Sequence, residues 1–99
     1  MEASLTFQEL TRLLNTKFHT PIDDSQRLDL ELVEISGLKE TPRNEEFAIV
    51  FRGQKEAFLG QGMRSFEHDE LGKFELFIVP IREDEKGYYY EAVFNRFLE

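Results

Sequence analysis

Cysteine is absent from this 99-residue chain, which removes at once a disulfide framework, thiolate zinc sites and cysteine nucleophiles. Long apolar runs are missing too. No stretch approaches the roughly 20 residues that a membrane-spanning helix needs. The start, MEASLTFQEL, has neither the basic n-region nor the apolar h-region of a secretory signal. A soluble protein made in the cytoplasm, with no membrane partner, is the expectation. Basic residues are outnumbered, 12 against 20 acidic, for a net charge of −8, so nucleic-acid binding by phosphate neutralisation is not expected. The acids are scattered, with small clusters at Asp23-Asp24, Glu45-Glu46 and Glu83-Asp84-Glu85, as on a solvated surface. Internal repeats, low-complexity segments, phosphate loops, dinucleotide fingerprints and zinc spacings are also lacking.

What the chain does have is apolar surface. Hydrophobic residues make up 40% of it and ten are phenylalanine, at about 1.5–3 kcal/mol for each large side chain fully buried. A chain of this length buries roughly two-thirds of its unfolded surface in one core, so residues 1–99 read as a single domain that needs no metal for stability. The richest stretch runs from Lys73 to Phe97, where KFELFIVPI and YYYEAVFNRF flank the turn-prone REDEKG. They read as a β-hairpin. Each run is apolar on both alternating faces: Phe74, Leu76 and Ile78 against Phe77, Val79 and Ile81, then Tyr90, Ala92 and Phe94 against Tyr89, Val93 and Phe97. A sheet covered on one side only would not need that, so each side of the hairpin is expected to be shielded.

Upstream, Phe7, Leu10, Leu13 and Leu14 recur at helical spacing, and Thr6 with Glu9 fits a capping box, which predicts a helix over 6–15. Its Phe7/Leu10/Leu14 stripe should lie on the sheet, as cover for one face of the terminal hairpin. Residues 17–22 are predicted to be extended, because the residue before Pro21 is biased away from helix, and 23–26 to turn. In RLDLELVEI, Leu28, Leu30 and Leu32 alternate with acids before the phase slips, predicting a β-bulge near Leu32 and Val33. Residues 37–44 read as a loop, 46–52 as a strand, 53–56 as a turn, and 58–66 as a weaker strand interrupted by Gly60 and Gly62. His68 to Gly72 reads as a tight turn with Leu71 plugging the core and Gly72 in a conformation closed to other residues. Pro80, inside a strand, belongs at a bulge or an edge. A sandwich of so few short strands would leave open edges that closure removes. The predicted fold is therefore mainly β: a small closed or partly open antiparallel barrel of about six strands with one N-terminal α-helix packed on it, on its side or across one end.

The segments EFAIVFRG at 46–53, LGQG at 59–62, FEHDELGKFELFIVPI at 66–81 and YEAVFNR at 90–96 occur in that order. In them the chain resembles a family of small bacterial β-domains of unknown function, often encoded beside phage-tail-collar-like proteins of the microcystin-dependent type. The resemblance is strong over residues 45–97 and weak before them. It implies a link to a tail-like or appendage system and brings no catalytic or binding residue with it. Relatives tend to have Pro after the FRG motif where this chain has Gln54, and Thr-Tyr after QG where it has Met63-Arg64; both changes touch loop stiffness and packing.

Chemistry-bearing clusters are sparse. His68, Asp69 and Glu70 adjoin, but three consecutive turn residues cannot all face one ion, and His19, Asp23 or Asp24 would have to approach from afar. His68 remains a weak polar-site candidate. Ser65 lies three residues from His68 on the opposite strand face, without a nucleophile elbow. No catalytic residue, metal ligand or cofactor is assigned. Glu91 lies on the Tyr89 and Val93 face, so burial of that face would require a partner, expected to be Arg52 or Arg64. Three successive tyrosines, 88 to 90, cannot all be interior, and a tyrosine hydroxyl favours a wet edge. The expectation is thus a non-enzymatic interaction or assembly module that binds a protein partner, tail-collar-like by the resemblance, through Tyr88, Tyr90, Arg52 and Glu91. Self-association stays open. The alternative is a small-ligand-binding barrel using its mouth, with Arg52, His68 and Glu91 as polar groups; a cavity of at least ~300 Å³ would favour it.

Overall fold

A computed structural model describes residues 5–41 and 44–97. The first element, α1, is a helix over Phe7–Arg12 whose N-cap Thr6 accepts the Glu9 N–H at 3.0 Å through its hydroxyl. This is half of the predicted capping box, because the Glu9 carboxylate goes forward to Arg12 at 2.7 Å. The helix is shorter than the spacing predicts: Asn15 adopts a φ of 69°, a left-handed conformation that asparagine tolerates better than most residues. Beyond it, Asn15 donates to the Leu32 carbonyl and Leu32 donates to that of Thr16.

Six strands follow: β1 Lys17–Pro21, β2 Arg27–Thr41, β3 Asn44–Gly53, β4 Gly62–His68, β5 Gly72–Asp84 and β6 Gly87–Phe97. The turn before β2 is held by Asp23, whose carboxylate accepts the Ser25 and Gln26 N–H groups at 2.9 Å. All pairings are antiparallel, and the order β1-β2-β3-β6-β5-β4 returns to β1 as a closed ring. Two meanders, β1-β2-β3 and β4-β5-β6, are thus joined edge to edge. The β3/β6 seam pairs Asn44–Gly53 with Tyr88–Phe97 throughout. On the opposite side β1 meets β4 at the single pair His19 and Glu67, reinforced by a 2.6 Å hydrogen bond from the Thr20 hydroxyl to the Ser65 carbonyl. Strand β5 divides its pairing, joining β4 over Gly72–Ile78 and β6 over Val79–Asp84.

Register shifts fall between Leu32 and Glu34 and between Pro80 and Arg82, where the phase slip and the strand proline predicted them. Two expectations need correction. The loop expected over 37–44 is mostly strand: after a second register shift β2 continues to Thr41 and β3 starts at Asn44, so glycine and charge there mark a bulged ribbon rather than a loop. The strand expected over 58–66 begins only at Gly62. Residues 54–61 instead carry the chain from one meander to the other, with Leu59 buried beneath.

Interior positions come from one face of every strand: Phe18, Leu30, Leu32, Phe47, Ile49, Phe51, Phe66, Ile78, Tyr90 and Ala92 are all buried. The filling is aromatic. Phe51 stacks on Phe66 at 5.2 Å and meets Phe18 edge-on at 5.1 Å. The helix serves this interior, with Leu10 buried in the same cluster and Phe7 edge-on to Phe47 at 5.5 Å. Its apolar stripe joins the cluster that holds Ile78, Tyr90 and Ala92, the inward face of the β5/β6 hairpin, and the outer face is left to other cover. No helix of the described residues is long and apolar enough to cross a membrane.

Candidate interaction surface

The residues expected to bind a partner do not form one patch. Tyr90 points inward and has no exposed surface; its hydroxyl accepts the buried Leu59 N–H at 2.9 Å. A side chain so placed cannot touch a partner, which corrects the reading of Tyr90 as a surface residue. Burial pushes its phenol pKa up, against a smaller downward pull from the Leu59 N–H. Tyr90→Phe should therefore orphan one buried donor, at about 1–3 kcal/mol, read as a lower denaturant midpoint with an unchanged slope.

Tyr88 is half-buried and meets Phe58 edge-on at 5.0 Å. Tyr89 is on the outer face yet only 6% exposed, because the Arg82 guanidinium covers its ring at 4.2 Å. Its hydroxyl donates to Asp84 at 2.9 Å. Tyr90 is thus inside and Tyr89 is sheltered under Arg82 on the outer face, while Tyr88 keeps partial exposure beside Phe58.

Arg52 is engaged by Glu31 at 3.2 Å, its direct cross-strand partner. Arg64 donates to the Gly60 carbonyl at 3.3 Å. Glu91 pairs with neither of them, correcting that expectation. Its face is the outer one, where the residue is partly exposed. His68 is 7% exposed, shares a 3.0 Å hydrogen bond with the Thr16 hydroxyl through Nε2, and accepts the Glu70 N–H at 3.0 Å through Nδ1. Asp69 and Glu70 turn outward to solvent, and Glu70 pairs with Arg12 at 3.0 Å. Among the described residues no group of three His, Cys, Asp or Glu side chains could hold a metal ion.

Burial holds the His68 pKa below its ordinary 6.5, with Glu70 and Asp69 pulling weakly the other way. The unfolded chain then takes up the proton first. The stability this imidazole contributes is whole above about pH 6.5 and is lost as the pH falls from there through the lowered folded value. Melting temperatures at pH 7.5 and 5.5 should show a drop in the native protein and a smaller one in His68→Gln.

Among the described residues, two clefts open on the exterior. One, of about 180 Å³, lies among Lys17, Glu31, Arg52, Gln54 and Lys86. The other, of about 270 Å³, runs along β4 and β5 beside Phe66 and Phe74. Both fall short of the ~300 Å³ at which small-molecule sites begin.

The outer face of β4, β5 and β6 is different. Met63 is 62% exposed and stands directly opposite Phe77, itself 47% exposed; on β6, Val93 is 70% exposed. Phe77 and Val93 continue, each by one step of the alternating pattern, the outer row that contains the paired Val79 and Glu91. Three large apolar side chains therefore stand exposed on the outer face of β4, β5 and β6. Only the alternating face to which Phe77 and Val93 each belong was legible beforehand, since sequence cannot say which face of a doubly apolar strand is left uncovered.

A family model described as a domain of unknown function (DUF6916) matches residues 5–94 of the chain. No curated protein matches. No solved structure matches either.

Proposed function

This chain belongs to the DUF6916 family of domains of unknown function, and from that premise we propose that it is a non-enzymatic protein-interaction module whose partner surface is the outer face of β4, β5 and β6. The observation that carries this reading is the exposed trio Met63, Phe77 and Val93. Exposed apolar side chains gathered together mark contact sites more often than single ones do, and a well-packed aromatic or methionine is a common anchor. The interior supports the same reading, since Phe18, Phe51, Phe66 and Tyr90 are buried in it without exposed surface. The partner proposed is a tail-collar-like protein, on the resemblance of residues 46–96 to domains encoded beside such proteins.

Co-expression with the collar-like protein of the same genome tests both halves. The native chain should co-purify with it, and Phe77→Asp should weaken the complex at least tenfold. The melting temperature of the variant should stay close to native, because the substituted side chain already faces water. Undiminished binding by Phe77→Asp would remove the surface from consideration, and failure of the native chain to co-purify would remove the partner.

A further inference from the structure

The exposed trio borders a backbone feature that suggests how a partner is held. Among the described residues, β6 pairs with β5 only from Gly87 to Glu91, and β5 then leaves it to pair with β4. From Ala92 to Phe97, β6 keeps β3 on one side and has no paired strand on the other. Backbone groups of an antiparallel strand alternate between its two neighbours. The two-residue turn Glu85-Lys86 makes Asp84 and Gly87 a hydrogen-bonded pair. Every second residue from Gly87 onward therefore turns its N–H and C=O toward β5, which puts Val93 and Asn95 on the open flank.

We propose, building on the interaction surface above, that this flank takes up an extended, basic segment of the partner as an added strand beside β6. Edge addition uses main-chain hydrogen bonds for affinity and alternate side chains for choice of partner. The side chains around the flank state the choice. Val93 and Phe77 would meet an apolar residue, while Glu75 on β5 and Glu91 on β6 stand on the same outer face. Neither glutamate is ion-paired among the described residues. On a chain of net charge −8, these carboxylates repel a second copy of the same edge and attract lysine or arginine.

Hydrogen exchange and peptide titration test this on the full chain. In the free protein the Val93 and Asn95 amides should exchange at least 100-fold faster than those of Ala92 and Phe94, which face β3. A blocked hexapeptide alternating valine and lysine should slow them. Its valine and glutamate counterpart should bind at least tenfold more weakly, and the double variant E75K/E91K should reverse that order. Equal binding of the two peptides, or slow exchange at Val93 and Asn95 in the free protein at any concentration, overturns strand addition. The surface itself is judged separately. If Phe77→Asp loses the collar-like protein while Val93→Pro, which removes one outward N–H, keeps it at full affinity, the surface stands and the strand mode falls.

Discussion

Gly87→Ala should destabilise the protein by about 3 kcal/mol or more, a large part of the roughly 5–15 kcal/mol that holds a domain of this size together. Two independent costs add at this position. The backbone has a φ of +148°, where a side chain is strained by about 1–3 kcal/mol. A Cβ built there would also run into the carbonyl oxygen of Gly53 and come within 3.2 Å of its carbon. Neither obstacle is a flexible side-chain tip; both are main chain on the neighbouring strand, so relief requires β3 and β6 to separate at the start of their seam. Gly60→Ala supplies the control, since a Cβ there meets nothing within 4 Å. Denaturant unfolding should show a large fall in midpoint for Gly87→Ala and little change for Gly60→Ala. Equal midpoints would mean that the strands do not approach so closely.

Phe51→Ala should cost about 3–5 kcal/mol, the range for emptying a buried aromatic site. Phe51 has no exposed surface and touches rings from two other strands, Phe18 on β1 and Phe66 on β4. Those strands meet at a single register pair, so the loss falls where backbone pairing is thinnest and rings from either side must hold the ring of strands shut. The same substitution at Phe77 removes an equally large side chain that is 47% exposed, and should cost less than about 1 kcal/mol. The contrast between two phenylalanines tests the assignment of inside and outside directly. Comparable losses would show that the outer face is covered.

Much of this architecture was legible in local chemistry. The Thr6 cap, the Pro21 extension, the phase slip after Leu32 and the Pro80 bulge are short-range effects, and each lies in the structure where the residues put it. Strand alternation also separated the two faces of β5 and β6 correctly. What it could not supply was which face lies inward, because both are apolar and the deciding factor is closure between strands distant in sequence. The same gap misplaced Tyr90. Tyr90 finds Leu59 and Tyr89 finds Arg82 only after the ring has formed, so reading three successive tyrosines as partly wet had no way to see those shelters. Arg52 went to Glu31 rather than Glu91 for a related reason: its register partner lies on β2, 21 residues upstream, and pairing geometry outranks charge arithmetic.

The unequal fastening of the two meanders has a mechanical consequence. One side is a full-length spine between β3 and β6, the other a clasp of one backbone pair and the Thr20 hydroxyl. Transient gaping will therefore begin at the clasp, with β1 and β4 parting while the spine acts as a hinge. A pull along β6 loads the ten pairs of the spine in shear, whereas a pull that parts β1 from β4 loads the clasp alone, so the domain resists the first far better than the second.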